Sequence, residues 1–215
     1  MTETRIQLTV NGRQHAVDAE ANAVLLHTLR DLGYTDVKNG CEIGECGACA
    51  VFLNGEAVNS CMVLTLQAAG AQIVTNAGLG TMEKPHPIQE AFADAGAIQC
   101  GFCTPGMVIS TKALLDRNPD PSETEIRDAL SGNLCRCTGY SQIVGAVKLA
   151  ASRLAVASSQ SEEGGERQGV LQSDEQERSG CVRDRILPAG EQEPSGSEKD
   201  RVLPSDDQPK VGGQS

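Results

Sequence analysis

The chain has 215 residues, nine cysteines and a formal net charge of −11 at pH 7. The net charge is −5 over residues 1–156 and −6 over residues 157–215, so neither part offers the basic face that nucleic-acid binding requires. No stretch approaches the roughly 20 apolar residues of a membrane span, and the N-terminus lacks the apolar run of a signal peptide. These features predict a cytoplasmic protein, in which clustered cysteines favour metal binding over disulfides.

Residues 1–77 have the pattern of a small mixed β-sheet with one main helix. Alternating apolar residues at 6–10 and a second extended run to Val17 flank Asn11-Gly12, which is typical of a tight hairpin. The other elements predicted in this part are a helix over 23–32 and short strands over 51–53, 57–58 and 72–75.

Beyond the connector Gly78-Leu79-Gly80, the pattern predicts helices alone. Thr104 is the expected N-cap of one helix, with Pro105 at its first position, and Ser122 and Glu125 form a capping box. The predicted helices cover 88–95, 104–117, 126–130 and a last segment from 141 to about 156. Helices of these lengths suit a compact all-α bundle, because none is long enough to be stable alone.

Residues 157–215 are predicted to form a disordered acidic tail. They are rich in Ser, Gly, Glu, Gln and Pro and contain no aromatic residue, so they cannot bury enough apolar surface to offset the entropy of ordering. A short apolar pair recurs every 16 residues within them, at Val170-Leu171, Ile186-Leu187 and Val202-Leu203. A duplicated tail that contacts nothing is the simpler interpretation, and a docking segment is the alternative. Cys181, in this tail, is expected to be an inert free thiol.

Eight cysteines form two unlike quartets. The first begins C-x4-C-x2-C, the spacing of plant-type ferredoxins, and is interspersed with glycines that let the backbone approach cluster sulfides. The second reads C-x2-C and then C-x-C. In a helix the last two side chains would point about 200° apart, so this segment is predicted to be a loop. A zinc site remains an alternative for both quartets, as do buried apolar cysteines for the first and thiol chemistry for the second.

Three segments, GCEIGECGACAVFLNGEAVNSC, QCGFCTPGM and LSGNLCRCTGY, together resemble the iron-sulfur subunit of the molybdenum hydroxylases. This is the family of xanthine dehydrogenase, aldehyde oxidoreductase and aerobic carbon monoxide dehydrogenase, and the resemblance covers about residues 4–155. It implies an α+β chain with a plant-type ferredoxin-like (β-grasp) domain at 1–77 and an all-α four-helix [2Fe-2S] domain at 78–156. The predicted disordered tail at 157–215 is the one departure from the family's pattern. The resemblance also implies two [2Fe-2S] clusters, whose ligands are Cys41, Cys46, Cys49 and Cys61, and Cys100, Cys103, Cys135 and Cys137.

The resemblance further implies a role as an electron-transfer subunit of an oxidoreductase. Electrons would pass from a molybdopterin cofactor in a large partner subunit, through the second quartet and then the first, to FAD in a medium subunit. The complex would be a heterotrimer, alone or dimerised. Gln99 matches the position that hydrogen-bonds the pterin in the family, and Cys137 matches the ligand that contacts its amino group.

The substrate would bind to the large subunit, so this chain carries no catalytic residue. Purines, N-heteroaromatic compounds, aldehydes and carbon monoxide are all compatible with the resemblance. The chain has no nucleotide-binding motif of its own. Two alternative functions are a free-standing ferredoxin-like carrier and a structural zinc protein.

Overall fold

The computed structural model describes residues 3–163 of the chain. These residues form five strands, six α-helices and two short 3-10 helices. The strands are β1 (Thr4–Val10), β2 (Arg13–Ala19), β3 (Ala50–Leu53), β4 (Glu56–Asn59) and β5 (Gln72–Val74). The α-helices are α1 (Leu25–Asp31), α2 (Asn76–Leu79), α3 (Pro87–Asp94), α4 (Thr104–Arg117), α5 (Glu123–Leu130) and α6 (Ser141–Glu163), and the 3-10 helices are Ser60–Met62 and Thr65–Ala68.

The strands form one mixed sheet in the order β2-β1-β5-β3-β4. Strands β1 and β5 are parallel, and the other neighbours are antiparallel. The predicted hairpin is confirmed: β1 and β2 pair along their whole length, and Asn11 and Gly12 both have positive φ, at 51° and 78°. Two successive left-handed residues match the right-handed twist of the strands that they connect.

Helix α1 covers one face of this sheet. Its residues Leu25, Leu26 and Leu29 are fully buried and belong to one hydrophobic cluster with Leu8 and Val51 of the sheet. Cys49 and Cys61 belong to the same cluster. Two members of the first cysteine quartet are therefore part of the core that holds the sheet and the helix together.

The rest of the described chain is helical, so the α+β class is confirmed. Residues from α3, α4, α5 and α6 share a second hydrophobic cluster, in which Phe92, Met107, Ile126 and Ile143 are fully buried. The Ser122 hydroxyl accepts a hydrogen bond from Glu125 N–H, as the capping box predicts.

The helices differ from the sequence-based expectation in several places. Helix α1 spans Leu25–Asp31 where the pattern predicts 23–32, and α5 begins at Glu123, before the predicted segment 126–130. Thr104 is the first residue of α4, and Cys103 takes the N-cap position without a side-chain cap. The short helix α2 lies where the sequence pattern indicated only a connector. Helix α6 continues to Glu163 and includes residues 157–163, which the sequence pattern assigned to the tail. The predicted disorder of the remaining tail, with Cys181, concerns residues 164–215, which lie outside the described part of the chain.

The sheet and the helices are joined by apolar and polar contacts. Ile109 of α4 is completely buried against Ala50 and Phe52 of β3. On the polar side, the Asn11 amide donates to the Thr75 hydroxyl at 3.0 Å and accepts from Thr75 N–H at 2.9 Å. Thr75 is fully buried and immediately precedes α2. The β1–β2 turn is therefore fixed to the start of the helical part.

Within residues 3–163, no helix has the length and apolar character needed to cross a lipid bilayer.

Replacing Asn11 by Gly tests this junction. Glycine keeps the left-handed turn but removes both hydrogen bonds to buried Thr75, so we expect a loss of about 1–3 kcal/mol in the free energy of unfolding, measured with urea. Asn54→Gly is the matched control, because Asn54 has the same φ of 51° in the β3–β4 turn and accepts one exposed hydrogen bond from Gln72 N–H. Equal losses in the two variants would contradict a special role for the Asn11–Thr75 contact.

Candidate metal centres

The first cysteine quartet lies beside the sheet. Cys41, Cys46 and Cys49 are on the loop between α1 and β3, and Cys61 is in the 3-10 helix Ser60–Met62. The structure brings all four together, as two thiol pairs: Cys41 with Cys46, and Cys49 with Cys61. The Cys41–Cys46 pair is partly exposed, and the Cys49–Cys61 pair is buried. One side of this quartet therefore faces solvent and the other faces the core.

Backbone amides point at the first quartet. The N–H groups of Ile43 above all, and also of Cys46 and Glu45, hydrogen-bond the Cys41 sulfur and lower its pKa to about 7. Burial, followed by the neighbouring Cys49 thiol, raises the pKa of Cys61 to about 11. Several N–H donors around a sulfur are the environment that an anionic cluster with thiolate ligands needs. Bound iron would deprotonate the thiols of both Cys41 and Cys61, although their pKa values are shifted in opposite directions.

Three glycines let this loop close around the sulfurs. A Cβ on Gly40 would lie 2.8 Å from Cys46 Sγ, so a side chain at this position would occupy the space of the ligand atom. Gly44 and Gly47 have positive φ, at 82° and 67°. The loop thus curves closely around the sulfurs, with space at Gly40 that a Cβ would fill. This is what the glycines of the sequence predict for a loop that approaches inorganic sulfide.

The second quartet lies in two loops of the helical part. Cys100 and Cys103 lie in the loop between α3 and α4, and Cys135 and Cys137 lie in the loop between α5 and α6. The second of these loops is the one that the C-x-C spacing predicts. The sulfurs again form two pairs, with Cys137 Sγ 3.6 Å from Cys100 Sγ and Cys103 in contact with Cys135. The Cys100–Cys137 pair is exposed, whereas Cys103 and Cys135 are half-buried.

The pKa values of Cys103 and Cys135, the two half-buried inner thiols of the second quartet, are shifted in opposite directions. Burial, followed by contact with Cys135, raises the pKa of Cys103 to about 12. Burial acts on Cys135 in the same direction, but hydrogen bonds from the Thr138 hydroxyl and from the N–H groups of Thr138 and Cys137 outweigh it, so the pKa of Cys135 is lowered. Hydrogen-bond donors thus surround the sulfur on the C-x-C loop, as they surround Cys41 in the first quartet.

The pairing of the sulfurs favours a two-iron cluster at each site. A mononuclear zinc site would need four ligand atoms around one centre, at about 2.3 Å from it for sulfur. A [2Fe-2S] cluster instead takes four cysteines distributed over two irons, which two separate thiol pairs satisfy.

The two quartets are neighbours, because their loops touch. Leu134 N–H donates to the Cys46 carbonyl at 2.9 Å, and the Asn133 amide reaches the Gly47 carbonyl at 3.3 Å. Gly106, at the start of α4, packs so closely on Gly47 that a Cβ there would overlap the Gly47 carbonyl. These contacts join the first cysteine loop to α4 and to the second cysteine loop, within a few residues of Cys46 and Cys135.

Two residues near the second quartet received no role from the sequence. Asn133 is 4% exposed and bonds to both loops. Tyr140 has φ of 69°, donates its hydroxyl hydrogen to the Asn133 carbonyl and accepts from Cys135 N–H, both at 2.9 Å. Both lie in the LSGNLCRCTGY segment, but spacing alone does not show which polar residues of a loop turn inward.

Gln99 and Cys137, the two predicted pterin contacts, both lie on the surface. Gln99 is exposed and directly precedes Cys100, whose sulfur is paired with that of Cys137. Both predicted contacts are therefore exposed, and the sulfur of Cys137 is paired with that of the residue that follows Gln99.

The three histidines lie outside the two quartets. His15 bonds to the Tyr34 hydroxyl and His86 caps α3, whereas His27 lies beside Glu42 of the first cysteine loop.

Comparison with known proteins assigns both halves of the described chain. Residues 8–75 match the "2Fe-2S iron-sulfur cluster binding domain" family, and residues 75–148 match the "[2Fe-2S] binding domain" family. The small FeS subunit of nicotinate dehydrogenase from Eubacterium barkeri is 50% identical over 156 residues, which are 72% of this chain and 99% of that subunit. The iron-sulfur-binding subunit of xanthine dehydrogenase from Escherichia coli O157:H7 is 45% identical over 144 residues, which are 66% of this chain and 91% of that subunit.

A solved structure gives the same result. Quinoline 2-oxidoreductase from Pseudomonas putida 86 superposes with a TM-score of 0.69 and 40% sequence identity, over 73% of this chain and 98% of the matched chain. The two matched [2Fe-2S] domain families, the two thiol quartets and the relatives matched over nearly their whole length all indicate the same family. The chain belongs to the family of iron-sulfur small subunits of the molybdenum hydroxylases, and carries electrons within an oxidoreductase.

Proposed function

We propose that this chain is the subunit that connects a molybdopterin-binding large subunit to an FAD-binding medium subunit in a heterotrimeric hydroxylase. The observation that carries this proposal is the direct contact between the two cysteine loops, the second of which carries the exposed Cys100–Cys137 pair. A free-standing carrier needs one cluster near its surface. Two clusters held loop against loop instead suit transfer through the chain, from one bound partner to another.

The proposed ligands are the eight cysteines of the two quartets. Cys41 and Cys46 would hold one iron of the first cluster, and Cys49 and Cys61 the other, because these are the pairs in contact. In the second cluster the pairs would be Cys100 with Cys137, and Cys103 with Cys135. The domains would be a β-grasp ferredoxin-like domain at 1–77 and a four-helix domain at 78–156, followed by the tail.

When bound, the two clusters supply single-electron transfer. The protein's own residues provide the rest: N–H donors stabilise the thiolates, the two loops fix the distance between the sites, and the hydrophobic cores shield the inner thiol pairs from water. Each of these contributions changes a reduction potential or a distance, the quantities that govern electron transfer between centres.

We propose that the large subunit covers the exposed side of the second quartet, where Gln99 and Cys137 would contact the pterin. The first quartet would then face the medium subunit, so that electrons leave towards FAD. The nicotinate dehydrogenase relative and quinoline 2-oxidoreductase support an N-heteroaromatic substrate, which would bind to the large subunit.

Purification of the native complex tests the assignment. We expect the chain, isolated through an affinity tag from its native host, to retain two larger subunits, four iron atoms per copy, molybdenum and FAD. Metal analysis, flavin fluorescence and mass spectrometry measure these components. A chain that carries its iron but elutes alone under mild conditions would support the free carrier, and a colourless chain with zinc and no sulfide would support the structural zinc protein.

Replacing Cys103 by Ser tests the ligand assignment and the relay order. We expect the EPR signal of the second cluster to disappear or change while that of the first persists, and we expect substrate to reduce FAD much more slowly in the complex. The matched control is Cys181→Ser, which removes a thiol outside both quartets and should change neither signal nor rate. FAD reduction at the normal rate in Cys103→Ser would show that electrons bypass this site.

Replacing Tyr140 by Phe tests the support of the second cluster. The change leaves Cys135 N–H and the Asn133 carbonyl without their shared partner, and we expect it to destabilise the loop by on the order of 1–3 kcal/mol. The second cluster should therefore be lost faster in a chelator, followed by visible absorbance and EPR. Tyr34→Phe is the control, because Tyr34 bonds to Val10 O and His15 in the sheet. Equally fast loss of the second cluster in the control would contradict the role given to Tyr140.

A further inference from the structure

Asn133 is a buried amide whose side chain connects three parts of the molecule. Its Oδ1 accepts a hydrogen bond from the Ser110 hydroxyl of α4 at 2.7 Å, and its Nδ2 donates to the Gly47 carbonyl of the first cysteine loop at 3.3 Å. Asn133 itself lies in the second cysteine loop, two residues before Cys135. One side chain of the second cysteine loop thus contacts the first cysteine loop and helix α4, which follows Cys103 directly.

The backbone of Asn133 is held as firmly as its side chain. Its N–H donates to the Leu130 carbonyl at 2.9 Å, at the end of α5, and its carbonyl accepts from the Tyr140 hydroxyl. The side chain cannot swing away without breaking its hydrogen bonds to the Gly47 carbonyl and the Ser110 hydroxyl. The orientation of the amide is therefore fixed, because the Ser110 hydroxyl donates to its oxygen and the Gly47 carbonyl accepts from its nitrogen.

The backbone around Gly47 is also closely packed. A Cβ on Gly106 of α4 would overlap the Gly47 carbonyl, and a Cβ on Gly47 would lie against the Asn133 amide and the Gly132 carbonyl. The first loop is therefore packed closely against both α4 and the second cysteine loop. The hydrogen bond from Leu134 N–H to the Cys46 carbonyl, at 2.9 Å, forms directly beside this contact.

We infer that Asn133 is a positioning residue that fixes the separation of the two cysteine quartets, by hydrogen-bonding the first loop to the second across Ser110, Asn133 and Gly47. The inference rests on the proposed function only in that both quartets must carry clusters. The side-chain hydrogen bonds of Asn133 go to Ser110 and Gly47, so it acts by keeping Cys46 and Cys135 on loops that cannot move relative to each other.

The test is the magnetic interaction between the two reduced clusters in the purified holoenzyme. Two paramagnetic centres held at a short, fixed separation split each other's EPR lines at low temperature. Asn133→Asp keeps the acceptor for Ser110 but replaces the amide donor by a carboxylate oxygen, which repels the Gly47 carbonyl. We expect this variant to keep its iron and sulfide content but to lose or broaden the splitting, and to show slower electron transfer from the second cluster to the first.

Two further changes at Ser110 isolate the same network. Ser110→Ala removes one of the two side-chain bonds of Asn133 and should weaken the splitting, whereas Ser110→Thr keeps a hydroxyl and should preserve it. Ile126→Val is the stability control, since Ile126 is fully buried in the helical core and lies outside both cysteine loops. This variant should lower the unfolding midpoint without changing the splitting.

The outcomes separate this inference from the proposed function. An unchanged splitting in both Asn133→Asp and Ser110→Ala, with the clusters present, would overturn the positioning role. If Asn133→Asp fails to fold or loses a cluster, Ser110→Ala decides: a weakened splitting supports the role and an unchanged one refutes it. A loss of splitting in Ile126→Val equal to that in Asn133→Asp would also refute it. A wild-type chain without two [2Fe-2S] signals would instead contradict the proposed function.

Discussion

Close packing at Gly47 constrains the arrangement of the two quartets, because the first cysteine loop meets the helical part at a residue without a side chain. A Cβ on Gly47 would meet the Asn133 amide and the Gly132 carbonyl, and a Cβ on Gly106 of α4 would meet the Gly47 carbonyl. Close-packed interiors do not deform continuously, so a contact of this kind has one geometry. The position of each quartet relative to the other is therefore fixed by backbone packing at Gly47 together with the buried Asn133 side chain.

The two hydrophobic cores give this contact its rigidity. Cys49 and Cys61 are packed with the sheet and α1, while Cys103 and Cys135 pack against the core of the helices. Each quartet thus has one thiol pair attached to a core and one pair nearer to the surface. Ile109, buried against Ala50 and Phe52, forms a third apolar cluster between α4 and β3. Ligand loops without regular structure are held in place because their neighbours belong to packed elements, as precise sites require.

Much of this architecture could be predicted from local sequence signals. Asn11-Gly12 fixed the first hairpin, and the Ser122–Glu125 capping box fixed the start of α5, because both depend on residues within a few positions of each other. The pairing of Cys100 with Cys137, and the inward orientation of Asn133, depend on residues 37 and 86 positions apart that meet only in the folded chain. Tyr140 is similar, since its left-handed backbone follows from the loop that it supports. Spacing grouped the eight cysteines into two quartets but could not indicate how their sulfurs pair.

The exposure of the second quartet has a consequence for how the chain works. Cys100 and Cys137 are exposed, and Ile98, Phe102 and Leu134, which flank the ligands in sequence, are 41%, 46% and 57% exposed. An iron-sulfur cluster changes its reduction potential with solvent access and with hydrogen bonds to its sulfurs. A partner subunit that covers this surface therefore excludes water from the outer thiol pair as it binds. The proposed assembly would therefore shift the reduction potential of the second cluster. The surroundings of the inner thiol pairs would change less on assembly, because the chain's own cores already shield these pairs from water.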